Sequence, residues 1–200
     1  MKVTLLHYTP LWVCAKAIRT CWDSHDKSDT VDGTCGERDK ALIERVANKN
    51  KHSSVLRHLN YTFDISGIST KTLLAFTRHK AGVEFSVQST RYTTKRRRED
   101  LQFTRTSNDY INDKLQDIMD IVDEAIEEGY SNDDISMLLP QAYQYSCVVT
   151  MNAQAIQHFL NLRVKMDAHY DIRMLAHSLF EEIPDDHKYL FKEFVHVTCD

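Results

Sequence analysis

Glycine and proline are scarce in this sequence, with 5 glycines and 3 prolines among 200 residues. This scarcity excludes a collagen-like or linker-rich chain and argues against an all-β protein, which would need many turn residues. Apolar runs are also short: none approaches the roughly 20 residues that span a bilayer, and the N-terminal one is too short for a signal peptide. We therefore expect a cytoplasmic protein with a single domain over residues 1–200 and no membrane partner.

Strong charge of one sign is missing as well. The 25 Lys and Arg residues and the 29 Asp and Glu residues give a net charge of −4, which does not favour a global electrostatic grip on nucleic acid. The basic run at 95–98 leaves three interpretations open: a solvated or phosphate-facing rim, a nucleic-acid contact, and pairing with an acidic helix at 108–128. The rim is favoured over nucleic acid because no aromatic platform interleaves the run.

The cysteines form no Cys-x-x-Cys pair. Their number is odd and their spacing is scattered, which favours neither a zinc site nor a disulfide framework. His169 and His177 are eight residues apart on a predicted helix, so they do not form an i, i+4 metal pair. We expect no metal and reduced thiols at Cys14, Cys21, Cys35, Cys147 and Cys199.

The hydrophobic pattern predicts an α+β fold, with a small central antiparallel sheet surrounded by helices. Alternating side chains predict strands at 2–8 and 59–65, and Gly67 is expected to end the second strand. Residues 83–92 suggest a loop or an irregular strand, and 143–150 fit a strand or a helix.

Helical spacing is the commonest pattern along the chain. Thr9 is expected to cap the first helix, with Pro10 at its first position. The second helix is expected to bury Leu42, Ile43 and Val46 after a polar loop. Helices are predicted at about 10–21, 37–50, 70–79, 108–128, 132–139, 152–163, 168–182 and 185–194.

One segment, residues 77–93, concentrates groups that bind phosphate. It places Arg-His-Lys at 78–80, near the end of a predicted helix, and continues through a glycine to hydroxyl residues and Arg91-Tyr92. A guanidinium together with hydroxyl or backbone donors is a common combination for phosphate recognition. The same cations also suit the negative end of a helix dipole, with the hydroxyls in solvent. The spacing alone leaves both interpretations open.

A second segment, 152–163, predicts a helix with an unusual polar face. Gln154, His158 and Asn161 share that face at steps of four and three, while apolar residues turn toward the core. Such a stripe is commonly a solvated face. Here it carries few full charges, which also fits a face directed toward a polar, hydrogen-bonding ligand.

In these two segments, 77–93 and 152–163, the chain resembles the flavin-dependent thymidylate synthases. The signature of that family is Arg-His-Arg, seven residues, Ser, and then Arg-Tyr, and it is similar to Arg-His-Lys, Ser89 and Arg91-Tyr92 here. The segment 52–63 is similar to the family's His-rich turn, and segments 139–145 and 152–163 are similar to its C-terminal half. The matches fall in order from about residue 9 to 180.

The chain departs from the family pattern at several positions. Lys80 stands where the second Arg is usual, which keeps the charge but loses the planar fork. Eight residues rather than seven separate Lys80 from Ser89. Val87 replaces a common acidic residue, Ala75 replaces Gln, and Ser136 stands where some members have Arg. These departures suggest a divergent branch, with a viral source or an altered substrate preference.

The resemblance implies an activity and an assembly. Members of the family methylate dUMP to dTMP, with methylene-tetrahydrofolate as the carbon donor and with electrons that pass from NADPH through FAD. They form homotetramers whose active sites are shared between subunits. For this chain it implies dUMP, folate and NADPH as partners, no nucleic acid, and a cytoplasmic location (the host cytoplasm if the source is a virus).

The resemblance also implies roles for particular residues. Arg163 would be the catalytic residue, facing the uracil carbonyls and stabilising charge that develops on the ring. His52 and Ser54 would come from a neighbouring subunit, and Cys21 would border the flavin phosphates. The implied dUMP-binding residues are Arg78, Gln88, Ser89, Arg91 and Arg163. The implied FAD-binding residues are His52, Ser54, Arg78, His79, Lys80, Ser86, Asn152, Gln154, His158 and Leu162.

Two other hypotheses remain. The departures at Lys80, Val87 and Ala75 suggest a non-catalytic or altered-substrate nucleotide-binding paralogue of the same family. A nucleic-acid-binding module acting through residues 91–105 is the least favoured. No nucleophile is assigned, because no His is spaced to activate Ser89 and no cysteine falls in a matching motif.

Overall fold

A computed structural model describes residues 1–100 and 102–195 of the chain. Its four strands form one sheet in the order β1-β2-β4-β3. Backbone pairing makes the sheet antiparallel: Thr9 N–H donates to the Asn60 carbonyl, and Asn152 N–H donates to the Gly82 carbonyl. The strands are β1 Lys2–Tyr8, β2 Asn60–Ser69, β3 Val83–Val87 and β4 Gln144–Asn152.

Helices account for most of the remaining regular structure. The helix α2 continues as a π-helical turn at Arg45–Lys49, and 3-10 turns occupy His25–Lys27, Ser53–His58, Lys95–Asp100 and Lys188–Leu190. Together with the sheet they confirm the predicted α+β class. The helices are α1 Leu11–Cys21, α2 Glu37–Glu44, α3 Thr70–Phe76, α4 Thr90–Thr93, α5 Asp109–Glu127, α6 Asn132–Ser136, α7 Ala153–Arg163, α8 Tyr170–Glu181 and α9 Lys192–Val195.

The chain divides into two compact units. The first contains Met1–Lys2, Ile65–Arg78 and Phe85–Val148, and the second contains Val3–Asp64, His79–Glu84 and Val149–Asp200. In the first unit, α5 and α6 share an apolar cluster of Val122, Ala125 and Ile135. Side-chain caps fix where both helices begin, because Asn108 accepts from Ile111 N–H and Ser131 accepts from Asp134 N–H.

The core of the second unit is built around β2 and α7. Tyr61 and Phe63 of β2 are fully buried, as are Ile156, Phe159 and Leu160 of α7. The buried Tyr61 hydroxyl is 2.7 Å from His187 Nδ1, which links the strand to the C-terminal turns. Burial of these apolar side chains places the opposite, polar face of α7 at the surface.

Two of the local predictions near β1 and β2 were wrong. Pro10, not Thr9, occupies the N-cap of α1, because the Thr9 hydroxyl accepts a hydrogen bond from Asn60 N–H at 3.2 Å. Gly67 does not end β2, which continues to Ser69. Gly67 has a φ of +75°, and a Cβ there would lie 3.3 Å from the Met1 backbone. Glycine is therefore needed for conformation and close approach within the strand.

Other boundaries also differ from the predictions. The second helix buries Ile43 and Ala47, whereas Leu42 and Val46 are half-buried. The uncertain segment at 143–150 is the strand β4. The prediction of a continuous helix at 185–194 was wrong. A turn, in which His187 N–H donates to the Pro184 carbonyl, precedes the short α9.

Within residues 1–100 and 102–195, no helix is both long enough and apolar enough to cross a bilayer.

Candidate functional site

A cluster of two histidines and an arginine lies in the second unit. His79 is 8% exposed, and its ring meets the edge of Phe159 at a centroid distance of 5.0 Å. The ring of His158 lies 5.6 Å away. The structure therefore brings together three of the sequence-predicted residues: His79 from the signature segment, and His158 and Arg163 from α7.

Arg163 and His79 are joined by a hydrogen bond. Arg163 Nε donates to His79 Nε2 at 3.2 Å, so the lone pair on Nε2 is available only in the neutral tautomer that carries its proton on Nδ1. Burial, which is the largest cause, and the neighbouring Arg163 and His158 together lower the pKa of His79 to about 4. The imidazole is therefore neutral at physiological pH and acts as an acceptor.

The start of α7 is fixed by Asn152. Its side-chain oxygen accepts from Ala155 N–H at 2.9 Å, which is an N-cap bond. Gly82 lies against this cap: it has a φ of +74°, and a Cβ there would be 2.1 Å from Asn152 Nδ2. Glycine at this position thus allows the segment that carries His79 and Lys80 to approach α7 closely.

Gln154 connects α7 to the turn at Ser53–His58. Its amide nitrogen donates to Ser53 Oγ at 2.7 Å, and its amide oxygen accepts from Arg57 Nε at 2.7 Å. Sequence reasoning did not identify Ser53 or Arg57. Ser53 lies between His52 and Ser54, and Arg57 belongs to the same turn, so these bonds fix the position of the turn that carries Ser54 and follows His52.

A cavity of about 680 Å³ lies in the second unit, between α1, the π-helical turn and residues 52–55. It includes the predicted residues His52, Ser54 and Cys21. Among the described residues that line it, three are cationic and none is acidic. The lining consists of Ile18, Arg19, Cys21, Trp22, Ser24, Lys27, Leu42, Arg45, Val46, Asn50, His52, Ser54 and Val55.

Sequence reasoning missed the cations and the indole of this cavity. Arg19 and Trp22 come from the end of α1, Lys27 from the following loop, and Arg45 from the π-helical turn. The Trp22 side chain is 76% exposed. No local motif links these positions, although a tryptophan three residues after Arg19, at the start of a polar segment, is a signal that could have suggested a binding surface.

Arg19 is held in the cavity wall by Asp39. Arg19 Nε donates to Asp39 Oδ1 at 2.6 Å, and the hydroxyls of Ser28 and Thr30 donate to Asp39 Oδ2 at 2.6 and 2.8 Å. Burial raises the pKa of Asp39, but these hydrogen bonds and the Arg19 charge outweigh it and lower the pKa overall. The carboxylate is therefore ionised and anchors the loop at residues 28–30.

The predicted phosphate-binding residues lie in the first unit, between β3 and α4. Gln88 pairs with Ser146 through backbone and side chain, and its amide nitrogen donates to Thr93 Oγ1 at 2.9 Å. Ser89 is the exposed N-cap residue of α4. Arg91 Nε lies 3.0 Å from Asp133 Oδ1, with both side chains mostly exposed.

The other predicted site residues lie at the surface. They keep their side chains in solvent, so the fold alone does not assign them a structural role. Leu162 is 37% exposed, and the remaining exposed residues are Arg78, Lys80, Ser86 and His158.

Arg98 of the basic run pairs with the acidic helix of the same chain. Arg98 Nε lies 2.5 Å from Asp123 Oδ1, and its Nη2 bonds to Glu127. These bonds raise the pKa of Arg98. This supports the pairing interpretation, with the difference that the partner helix is intramolecular rather than on another subunit.

The cysteines whose positions are described are free thiols. Burial raises the pKa of Cys14 to about 12 and that of Cys35 to about 11, so both are unreactive at neutral pH. Cys147 is 3% exposed, as expected for a small core residue. Cys199 lies outside the described residues. Within residues 1–100 and 102–195, no cluster of three or more His, Cys, Asp or Glu side chains is arranged to bind a metal.

A family model and several relatives match this chain over nearly its whole length. The family described as thymidylate synthase complementing protein matches residues 4–187. The flavin-dependent thymidylate synthase of Wolinella succinogenes is 40% identical over 203 residues, which cover 96% of this chain and 97% of that protein. The enzyme of the same name from Campylobacter jejuni is 39% identical and covers 98% of both chains.

Solved structures agree with these relatives. A thymidylate synthase from Helicobacter pylori, crystallised with FAD and dUMP, superposes with a TM-score of 0.90 at 33% identity, covering 98% of this chain and 100% of that one. A UMP/dUMP methylase from Streptomyces cacaoi has a TM-score of 0.74 at 18% identity, covering 96% and 95%, and it shows a shared fold. The chain belongs to the flavin-dependent thymidylate synthase family.

Proposed function

We propose that this protein converts dUMP to dTMP by reductive methylation, with methylene-tetrahydrofolate as the carbon donor and FAD that is reduced by NADPH. The observation that carries the proposal is the Arg163–His79 pair: a guanidinium hydrogen-bonded to a neutral, buried imidazole beside the exposed His158. We also propose a single cytoplasmic domain (in host cytoplasm if the source is a virus) that assembles as a homotetramer, by analogy with the family. Membership of the family supports both statements.

The residues present fit FAD. Ligand pockets for such molecules commonly have roughly 300–1,000 Å³, and the cavity near His52 and Ser54 has about 680 Å³. Its apolar walls suit a flat ring. Lys27 and Arg45 suit an anionic pyrophosphate, whereas the charge of Arg19 is already paired with Asp39. His52, Ser54, Gln154, His158, Leu162, His79, Lys80, Arg78, Ser86 and Asn152 would hold the cofactor. When bound, FAD supplies the reducing hydride.

In this proposal dUMP is bound through its phosphate and through its base. Ser89 and Arg91 donate hydrogen bonds to the phosphate, and Gln88 and Arg78 position the nucleotide. Arg163 faces the uracil carbonyls. Because active sites in this family are shared between subunits, residues that act on one nucleotide can come from different chains of the tetramer.

Arg163 has the chemical role in the proposal. The uracil ring gains negative charge when it accepts a nucleophile or a hydride, and a fixed guanidinium stabilises that charge more in the transition state than in the ground state. Arg163 is half-buried at the end of α7, so water screens its charge less than at the open surface. No proton needs to leave the guanidinium for this role.

The experiment compares the replacement of Arg163, the last residue of α7, with the replacement of Lys165, which follows the helix. Protein loaded with FAD is given NADPH, methylene-tetrahydrofolate and dUMP, and NADPH oxidation is followed. We expect oxidation to require both dUMP and folate, and to fall by roughly 100-fold or more in Arg163→Ala with the fold intact. Lys165→Ala, an exposed cation two residues further on, should retain wild-type turnover. Full activity in Arg163→Ala would overturn the assigned role.

A further inference from the structure

The hydrogen bond between Arg163 and His79 uses one defined edge of the guanidinium. Arg163 donates from Nε, at 3.2 Å, which leaves its two terminal Nη groups for other partners. Fixing Nε fixes the plane of the guanidinium, because the group is rigid and flat. The directions in which the two Nη groups donate hydrogen bonds are then fixed as well.

The acceptor is itself immobilised. His79 is 8% exposed, and its ring is packed edge-on against Phe159 and beside His158 at centroid distances of 5.0 and 5.6 Å. Both neighbours belong to α7, the helix that ends at Arg163. The imidazole therefore cannot rotate away without disturbing the packing of the helix that carries its partner.

We propose that His79 is a positioning residue for Arg163: it accepts the Nε–H through Nε2 and so aims the Nη groups at the bound pyrimidine. This inference rests on the proposed function, and it adds to the flavin contact that the resemblance implies for His79. In this arrangement His79 acts through Arg163 and does not touch the reacting atoms.

The electrostatic surroundings support the role. The charged and titratable groups that act on the ring, Arg163 and His158, both disfavour the imidazolium, as does burial. A protonated His79 would have no acceptor for Arg163 and would repel it. Over the neutral pH range the acceptor is therefore always present, so protonation of His79 does not interrupt the contact at physiological pH.

Two variants separate positioning from the other roles. In His79→Gln, the side-chain oxygen can accept from Arg163 close to the position of Nε2, whereas His79→Leu has a similar volume and no acceptor. The readouts are the NMR signal of the Arg163 Nε–H, identified by its loss in Arg163→Lys, together with bound flavin, kcat and the KM for dUMP. The signal reports the hydrogen bond itself and requires no turnover.

The proposal predicts different results for the two variants. His79→Leu should shift the Arg163 Nε–H signal and lower the kcat of the flavin-loaded protein by roughly 10- to 100-fold, since a hydrogen bond to a charged group is lost. His79→Gln should retain the signal and recover most of kcat. This rescue distinguishes positioning from simple packing, which Leu would satisfy at least as well as Gln.

Other results would overturn the proposal. An Arg163 Nε–H signal that is unchanged in His79→Leu would show that the contact is absent in solution. An equal loss of kcat in the flavin-loaded His79→Leu and His79→Gln variants would show that His79 acts as a flavin ligand or packing residue only. If the wild-type protein forms no dTMP, the proposed function fails, and the NMR comparison still decides whether His79 holds Arg163.

Discussion

Arg19 and Asp39 form a buried ion pair whose side chains are 7% and 0% exposed, with Nη2 and Oδ1 2.5 Å apart. The pair joins α1 to α2, and it also fixes the loop between them, because Ser28 and Thr30 donate to the second carboxylate oxygen. Arg19 forms part of the wall of the candidate flavin cavity. One ion pair thus supports both the stability of the second unit and the shape of this cavity.

Replacing Asp39 by Ala should lower the free energy of unfolding by roughly 3–5 kcal/mol, because it leaves the Arg19 charge buried and unpaired. Chemical denaturation of the protein measures this change. The control is Arg38→Ala: Arg38 is 71% exposed and 3.7 Å from Asp29, so its loss should cost less than about 1 kcal/mol. Equal effects in the two variants would contradict the importance of the buried pair.

Replacing Gln154 by Leu should weaken FAD binding. The change removes the bonds to Ser53 and Arg57, both 2.7 Å long, and frees the turn that carries His52 and Ser54. We expect a loss of affinity of roughly 10-fold for two hydrogen bonds that are partly replaced by water, measured by flavin fluorescence titration. Gln116→Leu on the exposed surface of α5 is the matched control; a similar loss there would refute the explanation.

Replacing Asp133 by Asn should strengthen dUMP binding by a few-fold. The Asp133 carboxylate bonds to Arg91, so it competes with the nucleotide phosphate for the guanidinium and repels the phosphate charge. Isothermal titration at low and high salt tests this, and the gain should shrink as salt screens the charges. Asp120→Asn, an exposed acidic residue of α5, should bind dUMP as the wild type does. Weaker binding in Asp133→Asn would indicate that Asp133 orients Arg91.

Acid should destabilise the protein through two buried histidines. Burial lowers the pKa of His79 and of His187 to about 4, below the ordinary value near 6.5. The unfolded chain therefore binds more protons between pH 6.5 and 4, and stability is lost as pH falls through that window. From pH 7.5 to 5 each histidine contributes a loss of about 2 kcal/mol.

The variant His187→Gln tests this assignment. His187 is 1% exposed and contacts the Tyr61 hydroxyl, which Gln can still reach with a polar group. Its unfolding free energy should fall less steeply between pH 7.5 and 5 than that of the wild type. If the unfolding free energy of His187→Gln fell with pH as steeply as that of the wild type, His187 would not contribute to the loss of stability in acid.

Local sequence patterns predicted most elements of the fold. Helix α5 followed from its apolar spacing, a signal that acts within one helical turn. In the structure Asn108 caps its start, and Gly129, whose φ is +84°, follows its end. The strand β2 followed from the alternation of apolar and polar side chains, but its continuation through Gly67 to Ser69 did not follow from the sequence. That passage depends on the packing of Met1, which is distant in sequence.

In the candidate site, too, residues in short local motifs were predicted and residues that only tertiary contacts bring together were not. The signature at 78–80 and the polar face of α7 identified His79, His158 and Arg163 because these residues lie in short motifs. The cavity cations Arg19, Lys27 and Arg45 were missed, since they come from three elements that only the tertiary fold brings together. Arg57 was missed for the same reason: its partner Gln154 is 97 residues away.

Identification of the product by mass spectrometry tests the central claim most directly. The purified protein is incubated with FAD, NADPH, dUMP and methylene-tetrahydrofolate labelled at its one-carbon unit. We expect dTMP that carries the label in its methyl group, and none when folate or NADPH is omitted. Unchanged dUMP from a protein that has bound flavin would contradict it, and would favour a non-catalytic or altered-substrate nucleotide-binding protein.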